Sequence, residues 1–193
     1  MENSKELLII EFATQQDWEA WLVEHCADPT GIWLKIAKKA TGIQSISYAE
    51  ALEGALCYGW IDGQKVAFDE QYWLQKFTPR RPKSIWSQIN RDKANTLIEA
   101  GRMQPSGLRQ VELARADGRW DAAYASQSSA TVPDDLQEAL DKNPPARDFF
   151  LTLNSVNRYA IIFRVQAAKK AETRAAKIQK FVEMLAKGEK IYP

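Results

Sequence analysis

Arg80, Arg81 and Lys83 lie together in a short segment stiffened by Pro79 and Pro82, and Trp86 follows three residues later. Cations on a proline-stiffened loop lose little entropy when they order around an anion. Ser84 is a plausible helix N-cap, so the first N–H groups of a helix opening there would point into the same space and add a positive dipole end. Tyr58, Trp60, Tyr72, Trp73, Phe77 and Trp86 crowd the neighbouring sequence and offer flat apolar walls. The chemistry implied is the gripping of a small anionic ligand or an acidic protein segment by a basic and aromatic site. A solvated strand-to-helix connection is the plain alternative for the same loop.

Asp62, in the run Trp60-Ile61-Asp62-Gly63, has three readings: it caps local backbone N–H groups in a turn, orients Arg80 or Arg81, or acts as a general base. His25 is the only histidine and lies near the end of an expected helix, so no Ser/His/Asp or Cys/His arrangement is available. Neither GxGxxG nor GxxxxGK occurs. Cys26 and Cys57 have no metal or redox spacing and are expected to be reduced, packed thiols. No cofactor and no metal are expected.

The elements that must position these residues follow from pattern. Leu7 to Phe12 reads as a strand; Thr14 with Asp17 forms a capping box before Trp18, Trp21 and Leu22 at helical spacing. After the Asp28–Gly31 break, Ile32, Leu34 and Ile36 alternate with Trp33 and Lys35 as in a strand with one face inside. Ser47 with Glu50 opens a second helix that stops at Gly59. Trp60 to Gly63 reads as a turn, followed by a hairpin of Gln64–Phe68 and Tyr72–Phe77. From Ser84 on the pattern is helical, with stops at Gly101 and Gly118, an exposed linker over Tyr124–Val132, helices headed by Pro133 and Pro144, and a final pair over Asn154–Ala168 and Glu172–Lys187. The expected class is α+β: a small α+β half over 1–82 with a short sheet of about four strands, then a helical half over 83–193, as separate units or one compact body.

A chain of 193 residues with 45% hydrophobic and 26% charged residues is ordinary for a soluble globular protein. Its net charge of +1 conceals segregation. Six cations between Gln75 and Lys93 face only Asp92, acids dominate Glu112–Asp141, and nine cations face three acids from Phe149 to Pro193. Lys169, Lys170, Arg174, Lys177 and Lys180 fall on the outer side of the last helix, which favours a solvated face over a nucleic-acid surface. Asn154 can cap the helix that carries Arg158, whose side chain turns either inward to the basic loop's acidic partner or outward to water. The N-terminal run has an acidic flank and a four-residue apolar core, too short for a signal peptide or a membrane span, so a cytoplasmic location is expected.

The runs Ser47–Leu52, Cys57–Gly63, Phe77–Ser87, Asn154–Ala160 and Met184–Pro193 resemble the YdeI/OmpD-associated, or bacteriocin-protection, family (OmdA-like), over nearly the whole chain. The resemblance implies a bacterial or archaeal protein linked to tolerance of antimicrobial peptides and bacteriocins, a form of stress response, and implies no reaction, cofactor or catalytic residue. A binding protein using Tyr58, Trp60, Asp62, Arg80, Arg81, Lys83, Trp86 and Arg158 is therefore the expectation. Behind it stand nucleic-acid binding through the basic segments and an enzyme built on Asp62.

Overall fold

A computed structural model describes residues 7–193. The acidic flank read within 1–6 lies outside them. The fold is α+β. Two compact units follow one another, the first ending at Ala123 and the second beginning at Tyr124.

The first unit is built on β1 (Ile9–Glu11), β2 (Ile32–Ala37), β3 (Trp60–Ala67) and β4 (Tyr72–Pro79), in the order β1-β2-β4-β3. β1 runs parallel to β2, which requires a crossover, and α1 (Gln15–His25) supplies it. The Thr14–Asp17 and Ser47–Glu50 capping boxes form as expected, the second starting α2 (Tyr48–Cys57). In β2 the residues Ile32, Leu34 and Ile36 face inward and Trp33 and Lys35 outward. The inward residues meet Trp18 and Leu22 of α1, Ala51, Leu52 and Leu56 of α2, and Trp60 and Phe77.

Trp18 and Trp60 are fully buried, and each indole N–H finds a carbonyl: Trp18 donates to Ala51 O at 3.0 Å and Trp60 to Cys26 O at 3.2 Å. Burying such rings contributes a few kcal/mol apiece only because that donor is satisfied. Two further helices, α3 (Gln88–Glu99) and α4 (Pro105–Ala116), add Ala94, Leu97, Val111 and Ala114 to this same core.

Two readings are corrected. Trp60–Gly63 is strand, not turn: β3 begins at Trp60 and pairs with β4 from Pro79 onward, with a register shift between Asp62 and Lys65. The one-residue excess on β3 between Asp62 and Lys65 marks a bulge, which a local Asp-Gly pair suits as well as it suits a turn. The helix expected from Ser84 begins at Gln88, capped by Ser87, whose side chain accepts from Asn90 N. Trp86 is 1% exposed. Seating that indole in the core fixes the chain just before Ser87, and the helix starts after it.

The second unit contains α5 (Asp134–Asp141), α6 (Pro144–Thr152), α7 (Ser155–Gln166) and α8 (Ala171–Ala186). Leu136, Leu140, Phe150, Ile161, Val165, Phe181 and Leu185 form its core. Asn154 caps α7, as its position predicts. Asn157, 1% exposed, accepts from Tyr192 N and donates to Tyr192 O, pinning the C-terminal residues to α7. No helix among the described residues is long and apolar enough to cross a membrane.

Candidate functional site

Arg80 and Trp86 are brought together inside the first unit. The Arg80 guanidinium lies 3.4 Å from the Trp86 ring centroid, donates to Ile85 O at 3.3 Å and is only 6% exposed. A desolvated stack of this kind contributes about 2 kcal/mol. Trp86 in turn meets Trp120 edge-on at 4.8 Å. Arg119 donates to Ser84 O at 2.8 Å while paired with Asp117, so Arg80 closes the 80–86 segment on itself and Arg119 ties it to the chain after α4. Within it, Arg81 and Ser84 close a turn through Arg81 N to Ser84 Oγ and Ser84 N to Arg81 O. The Arg81 and Lys83 side chains are exposed.

The remaining first-unit positions are distributed. Trp60 packs edge-on against Trp18 and Trp21. Tyr58 borders the core, and burial pushes its phenol above the ordinary value. Asp62 lies on β3, where it accepts from the Tyr48 hydroxyl at 2.8 Å and from the Asn90 amide at 3.5 Å. These contacts join β3 to the starts of α2 and α3.

Arg158 belongs to the second unit and borders a pocket of about 310 Å³. Arg147 of α6 lines the same pocket, so residues eleven positions apart on two helices bring two guanidinium groups to one opening. Leu140, Phe150 and Ile162, at most 5% exposed, form its apolar lining with Val132. Polar groups make up the other half of the lining: Gln127, Gln137, Ser155 and Tyr159 join the two arginines. Ser155, at the first position of α7, accepts from the Gln127 amide at 2.9 Å, and the Tyr159 hydroxyl donates to Ala125 O at 2.9 Å. Burial holds the Tyr159 phenol above its usual range, so it stays a neutral donor. Arg147 pairs with Asp148 at 3.1 Å, the arginine side chain half-buried and the carboxylate exposed. Such a pair is worth at most about 1 kcal/mol, so a ligand carboxylate can displace it. Arg158 is exposed and makes no ion pair among the described residues. A cleft with an apolar wall and convergent polar and charged groups is a common form of a small-molecule site, and this pocket, polar over about half its lining, is of that mixed kind.

Arg147 is the residue that sequence reasoning missed. The only local hint is Asn143-Pro144-Pro145, which fixes where α6 starts and hence which way position 147 projects.

Residues 10–110 match the family model described as Domain of unknown function (DUF8412), and residues 129–188 match the one described as Bacteriocin-protection, YdeI or OmpD-Associated. The runs Ser47–Leu52, Cys57–Gly63 and Phe77–Ser87, read above as part of the second family, fall within the first. No curated protein and no solved structure matches the chain. The pocket of Arg147 and Arg158 lies almost wholly in the 129–188 segment, only Gln127 standing before it. The chain thus belongs, through residues 10–110, to a family known as a domain of unknown function, and carries behind it the domain of the bacteriocin-protection, YdeI or OmpD-associated family.

Proposed function

We propose that this is a ligand-binding protein of the cytoplasm whose second unit takes up a small apolar molecule ending in a carboxylate or phosphate. The domain over 129–188 associates the chain with bacteriocin protection in general terms. The observation that carries the reading is that Arg147 and Arg158 line one pocket that also has an apolar wall. Guanidinium groups recognise carboxylate and phosphate through two parallel N–H donors, while Leu140, Phe150 and Ile162 accept the apolar body. The sign of the charge also argues against direct capture of a cationic amphipathic peptide, whose polar face is rich in Lys and Arg. Protection in this reading runs through an anionic small molecule.

Calorimetric titration of the full chain with octanoate, octyl phosphate and octylammonium tests it. The two anions are expected to bind and the ammonium not. A charge-assisted hydrogen bond contributes about 1.5–3 kcal/mol, so Arg147→Ala with Arg158→Ala should weaken octanoate at least about tenfold. Both side chains are exposed enough for the thermal midpoint to stay put. Equal affinity for octanoate and octylammonium, or no loss in the double variant, would remove the proposal.

A further inference from the structure

Lys38, Lys39 and Lys65 come together with Trp73, Val66 and Ala67 around a second opening of about 550 Å³, across the β2, β4 and β3 end of the first unit's sheet. Three separate segments supply them. Lys38 and Lys39 follow β2, held there by Lys38 N to Gln71 O at 2.8 Å and by Lys38 Nζ to Asp69 O at 2.9 Å. Lys65 stands on β3, and Trp73 on β4 pairs with Ala67 and Ile36. The Lys65 ammonium sits 4.1 Å from the Trp73 ring centroid, and the Tyr48 ring leans against the same indole at 6.2 Å.

The neighbouring carboxylates do not balance these cations. Asp69 accepts from Gln71 N and Tyr72 N at 2.8 and 2.7 Å and so caps the hairpin turn. Asp62 accepts from Tyr48 and Asn90. Among the described residues none of the three lysines is in an ion pair. Like charges gathered round a half-buried aromatic face repel one another, and an anion held between them relieves that repulsion. Lysine binds phosphate as a point charge, and an indole stacks on any planar ring.

We propose that this edge of the sheet binds a planar aromatic ring that carries a phosphate, with the ring against Trp73 and the phosphate among Lys38, Lys39 and Lys65. A free nucleotide and a nucleotide within a single strand share this chemistry. The site is independent of the Arg147 and Arg158 pocket.

Titration of the full chain with adenosine monophosphate, adenosine, inorganic phosphate and tetrathymidylate decides it, followed by calorimetry and by the indole N–H resonances, with Trp73 assigned through Trp73→Phe. Adenosine monophosphate is expected to bind at least about tenfold tighter than adenosine or phosphate and to shift the Trp73 indole. Lys38→Gln with Lys65→Gln, both at exposed positions, should weaken it about tenfold or more, and Lys180→Gln, an exposed lysine outside both candidate sites, should leave it unchanged. If Trp73→Phe does not fold, the lysine variant still carries the test. Tighter binding of tetrathymidylate that depends on Lys65 identifies a strand as the source, and weaker binding identifies the free nucleotide. Adenosine monophosphate binding no better than phosphate, or unaffected by the lysine substitutions, overturns the proposal.

Discussion

Gly107, the third residue of α4, is expected to tolerate no side chain. A Cβ built there would stand 2.2 Å from Cys57 O and 2.8 Å from Leu56 O, both backbone atoms at the C-terminal end of α2. Cys57 O also accepts the Gln104 N–H at 3.0 Å, so the carbonyl cannot swing away without losing a bond at the start of α4. Relief of about 1 Å of overlap requires α4 to lift from α2, and overpacking of that kind costs about 1–3 kcal/mol, here toward the upper end because nothing flexible can yield. Against it, alanine gains about 1 kcal/mol over glycine in helix propensity. Gly107→Ala should therefore lose about 2 kcal/mol, or about 8 °C in thermal midpoint for a unit of this size, with a lower urea midpoint at unchanged m value. Gly101→Ala serves as the control: its φ is +66° and a Cβ there meets nothing within 4 Å, so only the left-handed conformation is charged, about 1 kcal/mol. A midpoint for Gly107→Ala at or above that of Gly101→Ala would refute the steric argument.

The two thiols should react differently. Burial pushes Cys57 up to about 11, which leaves about one thiolate in a thousand at pH 8. Iodoacetamide should add a single group to the native chain, at half-buried Cys26, and a second only in urea; two adducts at native rates by mass spectrometry would contradict the buried assignment. In the second unit, the Arg174 guanidinium, which donates to both oxygens of Asp135, holds that carboxyl below its ordinary range. A carboxyl with a lowered folded-state value adds stability above its unfolded value and loses it as the pH falls through the folded one. Asp135→Asn should thus cost up to about 1 kcal/mol at pH 7, given the exposed carboxylate, and the difference should close in acid, as chemical denaturation at stepped pH would record.

What the sequence made legible was local. Thr14 with Asp17, Ser47 with Glu50, and Asn154 each announce a helix start through side-chain groups three residues apart, and each forms. Ser84 and Ser87 are equally good caps on that criterion, and only the burial of Trp86 between them selects the second. Asp62-Gly63 suits a turn and a bulge alike, and pairing with β4, which is not local, decides. The same division holds for the candidate sites. Arg158 could be singled out beside a capping asparagine, but its companion Arg147 reaches the pocket through the packing of α6 and α7. Lys38, Lys39, Lys65 and Trp73 meet only because β3 and β4 form a hairpin beside β2.

Charge counting alone does not separate cations held within the fold from those open to a ligand. The excess of cations after Phe149 suggests a broad basic surface, yet three of those nine cations, Arg164, Arg174 and Lys177, are engaged within the second unit. Of its four arginines, Arg174 holds Asp135 and Val165 O, and Arg164 donates to Ala160 O and to the Tyr192 hydroxyl. Lys177 similarly donates to Arg164 O. These groups complete helix ends and tie the C-terminal residues down, and a polyanion would have to compete with bonds already made. Arg147 is held only by its neighbour Asp148, and Arg158 by no ion pair among the described residues; both open onto the apolar pocket. The partners of each cation, more than the sum of their charges, favour a small anionic ligand over a nucleic-acid strand as the occupant of this unit.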